Sequence, residues 1–313
     1  MTIIAGFFYC LPFLPAAESP APGRFFREGN GELTLYSRKN ERSGKIRYRN
    51  PDGTYSEEGI REINRIFDVP KGSSEGISLR FLSLVDFLED HFRVDRVEIL
   101  SGYRDPQYNE KLKENGAKAA RMSLHLDGEA ADLIFPKIPS QKVWEYVRSL
   151  ECCGIGIYRD PKKYPGVGGT VHVDTGPKRY WDETTTGTEK VDLRKNHMIV
   201  AWTDRDIYFP GETVSLKLVR VTDYPIVADP EIEVLDDSGK PRKFSLDGTK
   251  EPLQIARRTD RLTTLRWTIP ADFSPKGAVT IRIKFPEKFR KDFPDMSEAV
   301  VSNPIRIVAR EGR

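Results

Sequence analysis

The sequence predicts an α+β domain with a small antiparallel sheet, followed by an all-β sandwich. Two observations lead to this fold class. Amphipathic helices and short strands alternate as far as about residue 182, which is typical of α+β domains. After the polar stretch WDETTTGTEK, residues 181–190, only short alternating or β-branched segments follow, separated by turn signals. We therefore place the first domain at residues 23–182, a linker at 183–194 and the second domain at 195–313.

Each element of the first domain follows from the spacing of its apolar residues. The segments GELTLYS and GKIRYRN alternate as two strands, and a helix is expected from about Ser56, with Ile60, Ile63 and Phe67 on one face. Two further helices are predicted over SLRFLSLVDFLEDHF and PSQKVWEYVRSLE, together with a short one that ends near Gly116. The remaining strands are predicted at RVEIL, EAADLIF, GIGIY and GTVHVDTG.

The second domain is predicted from six short strands: MIVAWT, TVSLKLVRV, EIEVLD, LTTLRWTI, AVTIRIKF and PIRIVAR. Turn signals such as FPGE, DDSGK and SPKG separate them, which is the pattern of an antiparallel, immunoglobulin-like β-sandwich. This part of the sequence contains no cysteine and a single histidine, His197, so it offers no cluster of catalytic residue types.

The chain begins with an uncharged apolar run, residues 3–14, followed by small residues and prolines. Its length fits the apolar part of a secretory signal peptide, although no positively charged residue precedes it. We therefore predict a signal peptide over residues 1–22, and an apolar segment that packs on the first domain is the alternative. The run is too short to span a bilayer, so no integral membrane span is expected.

Charge and cysteine content argue against several classes of protein. The net charge of +3 is small for 313 residues, and we expect no nucleic-acid partner because no helix-turn-helix or phosphate-binding loop is visible. Cys152 and Cys153 are adjacent and are not expected to form a disulfide, because neighbouring residues rarely reach the required geometry. Burial as small apolar side chains is their predicted role.

Two histidines and an aspartate form the candidate site. His125 lies in SLHLDGEAADLIF, seven residues before Asp132, and His172 lies in the predicted strand GTVHVDTG. Strand side chains alternate between two faces, so His172 and Asp174 share one face while the neighbouring valines point into the core. Two imidazoles and one carboxylate can hold a catalytic zinc ion that keeps one position open for water. The alternative is a pair of hydrogen-bonded core histidines beside a salt-bridged aspartate.

The stretch SLHLDGEAADLIF resembles the S-x-H-x-x-G-x-A-x-D motif of the zinc D-alanyl-D-alanine peptidases, whose superfamily includes lysostaphin-type endopeptidases and the hedgehog signalling domain. Every defined position of the motif matches: Ser123, His125, Gly128, Ala130 and Asp132. The segments GELTLYS…YRNPDGTYSEEGIREIN, SGYRDPQYN, GIGIY and TVHVDTGPKRYW are similar to the murein endopeptidase branch, so the resemblance covers about residues 30–182. It implies a zinc peptidase domain in which His125, Asp132 and His172 bind Zn²⁺.

The resemblance also implies a proton-transfer group beside the metal. Many relatives carry a glutamate as general base three residues before the second histidine, where this chain has Gly169. Asp174 is then the candidate catalytic residue, either as a proton acceptor or as a partner that orients the His172 ring. An aspartate that caps the turn after the strand is the alternative.

Arg104 and Ser123 are the candidate substrate-binding residues. Arg104 matches the position at which relatives hold an arginine near the substrate, where a guanidinium can stabilise a developing oxyanion. A salt bridge between Arg104 and Asp105, and a turn capped by Ser123, are the alternatives. Glu129 is expected to be exposed to solvent.

Together these residues predict an exported zinc metallopeptidase that hydrolyses amide bonds in peptidoglycan stem peptides or crosslinks, in the periplasm or cell envelope. The class of bond, D,D or L,D, the choice between endopeptidase and carboxypeptidase, and the oligomeric state are left open. A non-catalytic, zinc-containing module that binds the cell wall is the alternative. Gly169, in place of the glutamate, is the feature that favours this alternative.

Overall fold

The described part of the chain comprises residues 23–73, 76–105, 123–159, 169–182, 199–220, 226–255, 262–290 and 297–309 of a computed structural model. The predicted signal peptide, the predicted linker, the short helix near Gly116 and His197 all lie outside these residues.

A mixed sheet lies at the centre of the N-terminal part. Its strands are β1 (Glu32–Ser37), β2 (Ser43–Arg47), β3 (Val97–Ser101), β4 (Ala130–Ile134), β5 (Gly154–Tyr158), β6 (Thr170–Asp174) and β7 (Arg179–Asp182). Their order is β2-β1-β3-β4-β6-β5-β7, and the pairs β1–β3 and β5–β7 are parallel while the others are antiparallel. The predicted α+β class is confirmed, but the sheet is mixed and larger than the small antiparallel sheet that we expected, because β7 and the first hairpin extend it.

Three helices pack on one face of this sheet: α1 (Glu57–Ile66), α2 (Leu79–Phe92) and α3 (Ser140–Ser149). The hydroxyl of Ser56 accepts a hydrogen bond from the N–H of Gly59, and that of Ser78 accepts one from Phe81, so both α1 and α2 begin at a capping serine. The core between helices and sheet includes Phe67, Phe81, Leu82, Val143, Ala131, Leu133, Val171 and Val173. The odd-numbered residues of β4 and β6 thus face the helices, which leaves the even-numbered ones on the opposite face.

The C-terminal part is built from strands around a second apolar core. The strands are β8 (Ile199–Thr203), β9 (Ile207–Tyr208), β10 (Thr213–Arg220), β11 (Ile226–Ala228), β12 (Glu231–Leu235), β13 (Arg242–Ser245), β14 (Leu253–Ile255), β15 (Leu262–Thr268), β16 (Ala278–Lys284), β17 (Ala299–Val301) and β18 (Ile305–Ile307), with a short helix α4 (Glu287–Arg290). They form sheets in the orders β15-β10-β8, β11-β14 and β13-β12-β16-β18-β9, and β17 pairs with β16. The β-rich class is confirmed, whereas the immunoglobulin-like arrangement and the domain boundaries stay predictions.

The contacts between the two parts of the chain include a small apolar cluster and ion pairs, among them the pair of Arg24 with Glu212. Leu124 and Ala130 of the N-terminal part are buried together with Val200, Trp202 and Val219 of the C-terminal part. Nearby, the guanidinium of Arg80 at the start of α2 pairs with Asp206 and donates to the carbonyl of Thr203 at 2.8 Å. Ala130 belongs to β4, so the C-terminal part covers one end of the sheet face that is turned away from the helices.

The adjacent cysteines form a disulfide, which contradicts the sequence-based expectation. Cys152 and Cys153 are bonded although their Cα atoms are 3.7 Å apart. The expectation rested on the usual Cα separation of about 4.4–6.8 Å, which excludes neighbouring residues. The predicted burial is nevertheless found for Cys153, which lies directly before β5 and packs against the main core.

None of the helices formed by the described residues combines the length and the apolar character that crossing a bilayer requires.

Two carboxyl groups on α2 are buried beneath the first hairpin. Asp86 accepts hydrogen bonds from the hydroxyl of Tyr48 and the N–H of Gly31, each at 2.8 Å, and Glu89 accepts from the N–H of Thr34 at 3.1 Å. Burial raises the pKa of Asp86 to about 6 and that of Glu89 to about 7, because the charged form loses its hydration.

We expect Glu89→Gln to flatten the pH dependence of stability. A carboxyl with a raised folded-state pKa stabilises the folded chain at low pH, and this contribution is lost as the pH rises through about 7. At about pH 8 the variant should therefore gain on the order of 1–2 kcal/mol in free energy of unfolding relative to the parent, and near pH 5 it should gain little. Urea unfolding at several pH values measures this difference. Glu62→Gln on the surface of α1 is the control, and equal slopes for both variants would contradict the expectation.

Candidate metal centre

The first histidine of the site is placed by a short turn between a 3₁₀ helix, η1 (Leu124–Asp127), and β4. Gly128 makes this turn with φ of 67°, and a Cβ atom at that position would lie 2.0 Å from the carbonyl oxygen of Gly76. Only glycine fits both constraints, which explains the glycine of the sequence motif in physical terms. The turn directs η1 back over the sheet.

Backbone contacts hold His125 against the end of β3. Its Nδ1 lies 2.7 Å from the carbonyl oxygen of Gly102, and its own carbonyl oxygen accepts from the N–H of Arg104 at 3.1 Å. Because a carbonyl oxygen can only accept, Nδ1 carries the proton and Nε2 of the neutral ring is left as a lone pair. His125 is 1% exposed, so this orientation is fixed within the protein.

The antiparallel pairing of β4 with β6 brings Asp132 directly opposite His172. The Oδ1 atom of Asp132 lies 3.1 Å from Nδ1 of His172 and 3.6 Å from Nε2 of His125, and these two ring nitrogens are 3.2 Å apart. The three atoms therefore converge from η1, β4 and β6 on one point, and one ligand atom from each residue lies within 4.8 Å of the others. The cluster could hold a metal ion.

The hydrogen bonds on the far sides of the rings fit this interpretation. His172 Nε2 lies 2.9 Å from Oδ2 of Asp174, whose pKa is lowered to about 2: burial raises it, but Arg179 and His172 outweigh that effect. Ionised Asp174 only accepts, so the proton of neutral His172 sits on Nε2, and Nδ1 faces the cluster as a lone pair. Two imidazole lone pairs and a carboxylate thus meet with no donor among them, which is the environment that a divalent cation satisfies.

Electrostatics within the cluster favour an ionised aspartate. Burial raises the pKa of Asp132, but the two histidines outweigh it and hold that pKa well below its usual range. Burial lowers the pKa of His125. For His172 burial acts in the same direction, but Asp132 and Asp174 can both accept hydrogen bonds from the protonated ring, and this effect prevails and raises the pKa. A proton on His172 is therefore the competitor of a metal ion at this site.

Asp174 lies behind the His172 ring, on the side away from the cluster. It is fully buried, and its two oxygens accept from Gly176 N at 2.8 Å, from His172 Nε2, and from both terminal nitrogens of Arg179 at 3.0 and 2.8 Å. Both oxygens are thus occupied. This geometry favours the orienting role over the proton-accepting role among the two roles that the sequence leaves open.

Arg104 lies beside the cluster and contacts its carboxylate. Its Nη2 is 3.2 Å from Oδ2 of Asp132, and its Nε donates to the hydroxyl of Ser101 at 3.2 Å. The salt bridge that the structure shows is therefore with Asp132. Ser123 directly precedes η1, two residues before His125, and is buried. Its backbone carbonyl oxygen accepts a hydrogen bond from the N–H of Leu126.

Glu129 is buried, and the expectation that it is exposed was wrong. It is 2% exposed, and its carboxylate accepts from the hydroxyls of Ser78, at 2.6 Å, and of Thr175. Strand alternation places the Glu129 side chain on the face away from the candidate ligands, where the hydroxyl of Ser78, directly before α2, and that of Thr175, directly after β6, cover it. Nothing in the local sequence indicates that these segments meet.

The strand β7, which the sequence analysis did not predict, adds two residues near the site. Trp181 lies beside His172, with ring centroids 5.1 Å apart, and its indole N–H donates to the hydroxyl of Tyr158 at 2.8 Å. Arg179 bonds to Asp174 as described above. The signal that points to them is the continuation PKRYW after VHVDTG.

Residues 28–181 match a family model, Peptidase_M15_2, described as "Peptidoglycan L,D-endopeptidase MepK". The resemblance to the zinc peptidase superfamily is confirmed for this segment.

Individual relatives match over a shorter stretch than the family model does. Proteins called "Peptidoglycan L,D-endopeptidase MepK" from Escherichia coli K12 and Shigella flexneri are 32% identical over 85 residues, or 27% of this chain and 43% of the relatives. A "Probable peptidoglycan L,D-endopeptidase MepK" from Haemophilus influenzae is also 32% identical over 85 residues, 42% of its length. The match thus spans less than half of the length of these curated relatives.

The glycine turn of the family segment can be tested by substitution. Gly128→Ala should lower the free energy of unfolding by on the order of 2–4 kcal/mol, because it combines left-handed strain with a collision against the Gly76 carbonyl. Gly72→Ala is the matched control: its φ is 81°, but no described heavy atom lies within 4 Å of the added Cβ. It should cost about 1–2 kcal/mol from strain alone. Urea unfolding compares the two, and equal losses would contradict the steric argument.

Metal content tests the cluster itself. The parent chain should bind about one zinc ion, and His125→Ala, Asp132→Ala and His172→Ala should each lose most of this binding, because each removes one of three ligands. Elemental analysis after dialysis, together with competition against a chelating dye, measures it. His91→Ala is the control, since His91 is exposed and stacks on Tyr146 with ring centroids 3.6 Å apart. Full zinc retention in Asp132→Ala would remove that carboxylate from the ligand set.

Proposed function

We propose that residues 28–181 form a zinc-dependent peptidase that hydrolyses amide bonds in peptidoglycan, and that it acts as an L,D-endopeptidase. The observation that carries this proposal is the convergence of His125, Asp132 and His172 within the segment that matches the family model. The names of the relatives support peptidoglycan as the substrate and the L,D bond as the one that is cut.

The donor set fits zinc. Two neutral imidazole nitrogens and one carboxylate oxygen are ligands that zinc takes in catalytic sites, where a further position stays open. When bound, the ion supplies a Lewis acid and an activated water for attack on a carbonyl group. His125 and His172 would bind through Nε2 and Nδ1, because their other nitrogens are held by Gly102 and Asp174.

The protein's own residues prepare this reaction. Arg104 carries a permanent positive charge next to the cluster, where its guanidinium can bind a substrate carboxylate or stabilise an oxyanion. Ser123, beside η1, is the second proposed substrate contact. Asp174 keeps the proton of His172 on Nε2 and fixes the plane of the ring, so that Nδ1 faces the ligands opposite.

We further propose that the protein is exported to the periplasm or cell envelope, where its substrate lies. The apolar run at residues 3–14 supports this location as part of a signal peptide. The Cys152–Cys153 disulfide supports it independently, because disulfides persist in oxidising compartments and are rare in the cytosol.

The second candidate is a zinc-containing module that binds the cell wall without hydrolysis. Gly169 favours it: this position, three residues before His172, has φ of 101°, and an added Cβ would lie 2.7 Å from both the hydroxyl of Ser140 and the carbonyl oxygen of Tyr158. A glutamate, the general base of many relatives, therefore does not fit there without a shift of the backbone.

Incubation with isolated sacculi distinguishes the two candidates. We expect the zinc-loaded full-length chain to release muropeptide fragments whose masses correspond to cleavage of an L,D crosslink, and a chelator or His125→Ala to abolish this release. His91→Ala, which leaves the cluster intact, should release the same fragments as the parent. Binding to sacculi without any released fragment would favour the binding module, and masses from D,D cleavage would overturn the proposed bond class.

A further inference from the structure

Arg179 makes the only described guanidinium contact with the buried carboxylate behind the metal cluster. The two terminal nitrogens of Arg179 lie 3.0 and 2.8 Å from the two oxygens of Asp174, which is the parallel, two-bond geometry that gives arginine pairs their directional strength. Asp174 is 0% exposed while the side chain of Arg179 is 42% exposed, so the pair connects the protein interior with the surface.

Two glycines leave the space that this pair occupies. A Cβ atom at Gly154 of β5 would lie 2.3 Å from Oδ2 of Asp174, and one at Gly176 would lie 2.9 Å from Nη1 of Arg179. Larger residues at either position would displace the carboxylate or the guanidinium. The strand β5, the turn after β6 and the strand β7 are therefore all shaped around the contact between Asp174 and Arg179.

Arg179 also supports the second neighbour of His172. Its guanidinium carbon lies 5.3 Å from the ring centroid of Trp181, within the range of a cation–π contact, and the Trp181 ring lies beside His172. His172 is thus flanked by Asp174 through a hydrogen bond and by Trp181 through ring packing, and Arg179 contacts both.

We propose that Arg179 is a positioning residue for the metal centre, which fixes Asp174 and Trp181 so that His172 presents Nδ1 to the ligands opposite. Without the guanidinium, the Asp174 carboxylate would lose its two-bond partner, and the His172 ring would be free to tilt. The inference rests on the metal centre of the proposed function and is independent of the reaction that the centre catalyses.

Zinc affinity of the full-length chain tests the proposal. In competition against a chelating dye, Arg179→Ala should weaken zinc binding about 10- to 100-fold, the usual range for loss of a partner that orients a ligand. The zinc affinity of Arg179→Lys should lie between those of Arg179→Ala and the parent, because an ammonium keeps the charge but cannot make two parallel hydrogen bonds. Arg148→Ala is the matched control: Arg148 stacks on Tyr180, the residue next to Arg179. It should bind zinc like the parent.

A double-mutant cycle separates action through Asp174 from a general loss of stability. If Arg179 acts through Asp174, then Arg179→Ala should weaken zinc binding less than about twofold in the Asp174→Asn background. The visible absorption of bound Co²⁺ is the second readout, because it responds to ligand geometry: it should change in Arg179→Ala and stay as in the parent for Arg148→Ala. Should Arg179→Ala fail to fold, Arg179→Lys and Asp174→Asn give the same comparison.

Three results would overturn the proposal: zinc affinity of the Arg179 variants within twofold of the parent, an equal loss in both backgrounds, or an unchanged Co²⁺ spectrum. The measurement uses no peptidoglycan, so it is distinguishable from the test of the proposed function. A chain whose zinc affinity depends on Arg179 but that releases no fragment from sacculi would support this inference and contradict the peptidase proposal.

Discussion

The pairing of β4 with β6 is the constraint on which the candidate site depends. In this antiparallel register Asp132 lies opposite His172 and Ala130 lies opposite Asp174, so the carboxylate and the imidazole share one face of the sheet. A shift of β6 by one residue would turn His172 toward the helices, away from Asp132, and would bring the valines of β6 out of the core. The apolar packing of Ala131, Leu133 and their partners therefore fixes the register and, with it, the distance between Asp132 and His172.

The two carboxylates of the site each lie between imidazole and guanidinium groups. Ionised Asp132 lies between two buried imidazoles and the guanidinium of Arg104, while Asp174 lies between His172 and Arg179. Asp132 thus contacts the guanidinium of Arg104, and Asp174 contacts that of Arg179. In each histidine, the ring nitrogen that points away from the cluster is hydrogen-bonded. Such an arrangement limits the cost of burying charge, since both oxygens of Asp174 accept hydrogen bonds and Asp132 contacts the guanidinium of Arg104.

Much of this could be predicted from the sequence, because the relevant signals are local. The spacing of Ile63 and Phe67 predicted a helix that the structure confirms, and alternation in VHVDTG placed His172 on the correct face. What could not be predicted depends on contacts between distant segments. The hydroxyls that cover Glu129 come from α2 and from the turn after β6, and β7 becomes a strand only by pairing with β5. The disulfide between Cys152 and Cys153 was not predicted, because the usual Cα separation describes disulfides between residues that are not adjacent in the sequence.

The cluster of Leu124 and Ala130 with Val200, Trp202 and Val219 lies immediately beside the segments that carry His125 and Asp132. Ala130 of the sequence motif therefore also packs against the C-terminal part of the chain, and its small side chain allows this close contact. The strands β8 and β10, which lie far beyond Asp132 in the sequence, thus become neighbours of β4 in space. A shift of the C-terminal part relative to this apolar cluster would therefore also shift η1 and β4, the segments that carry His125 and Asp132.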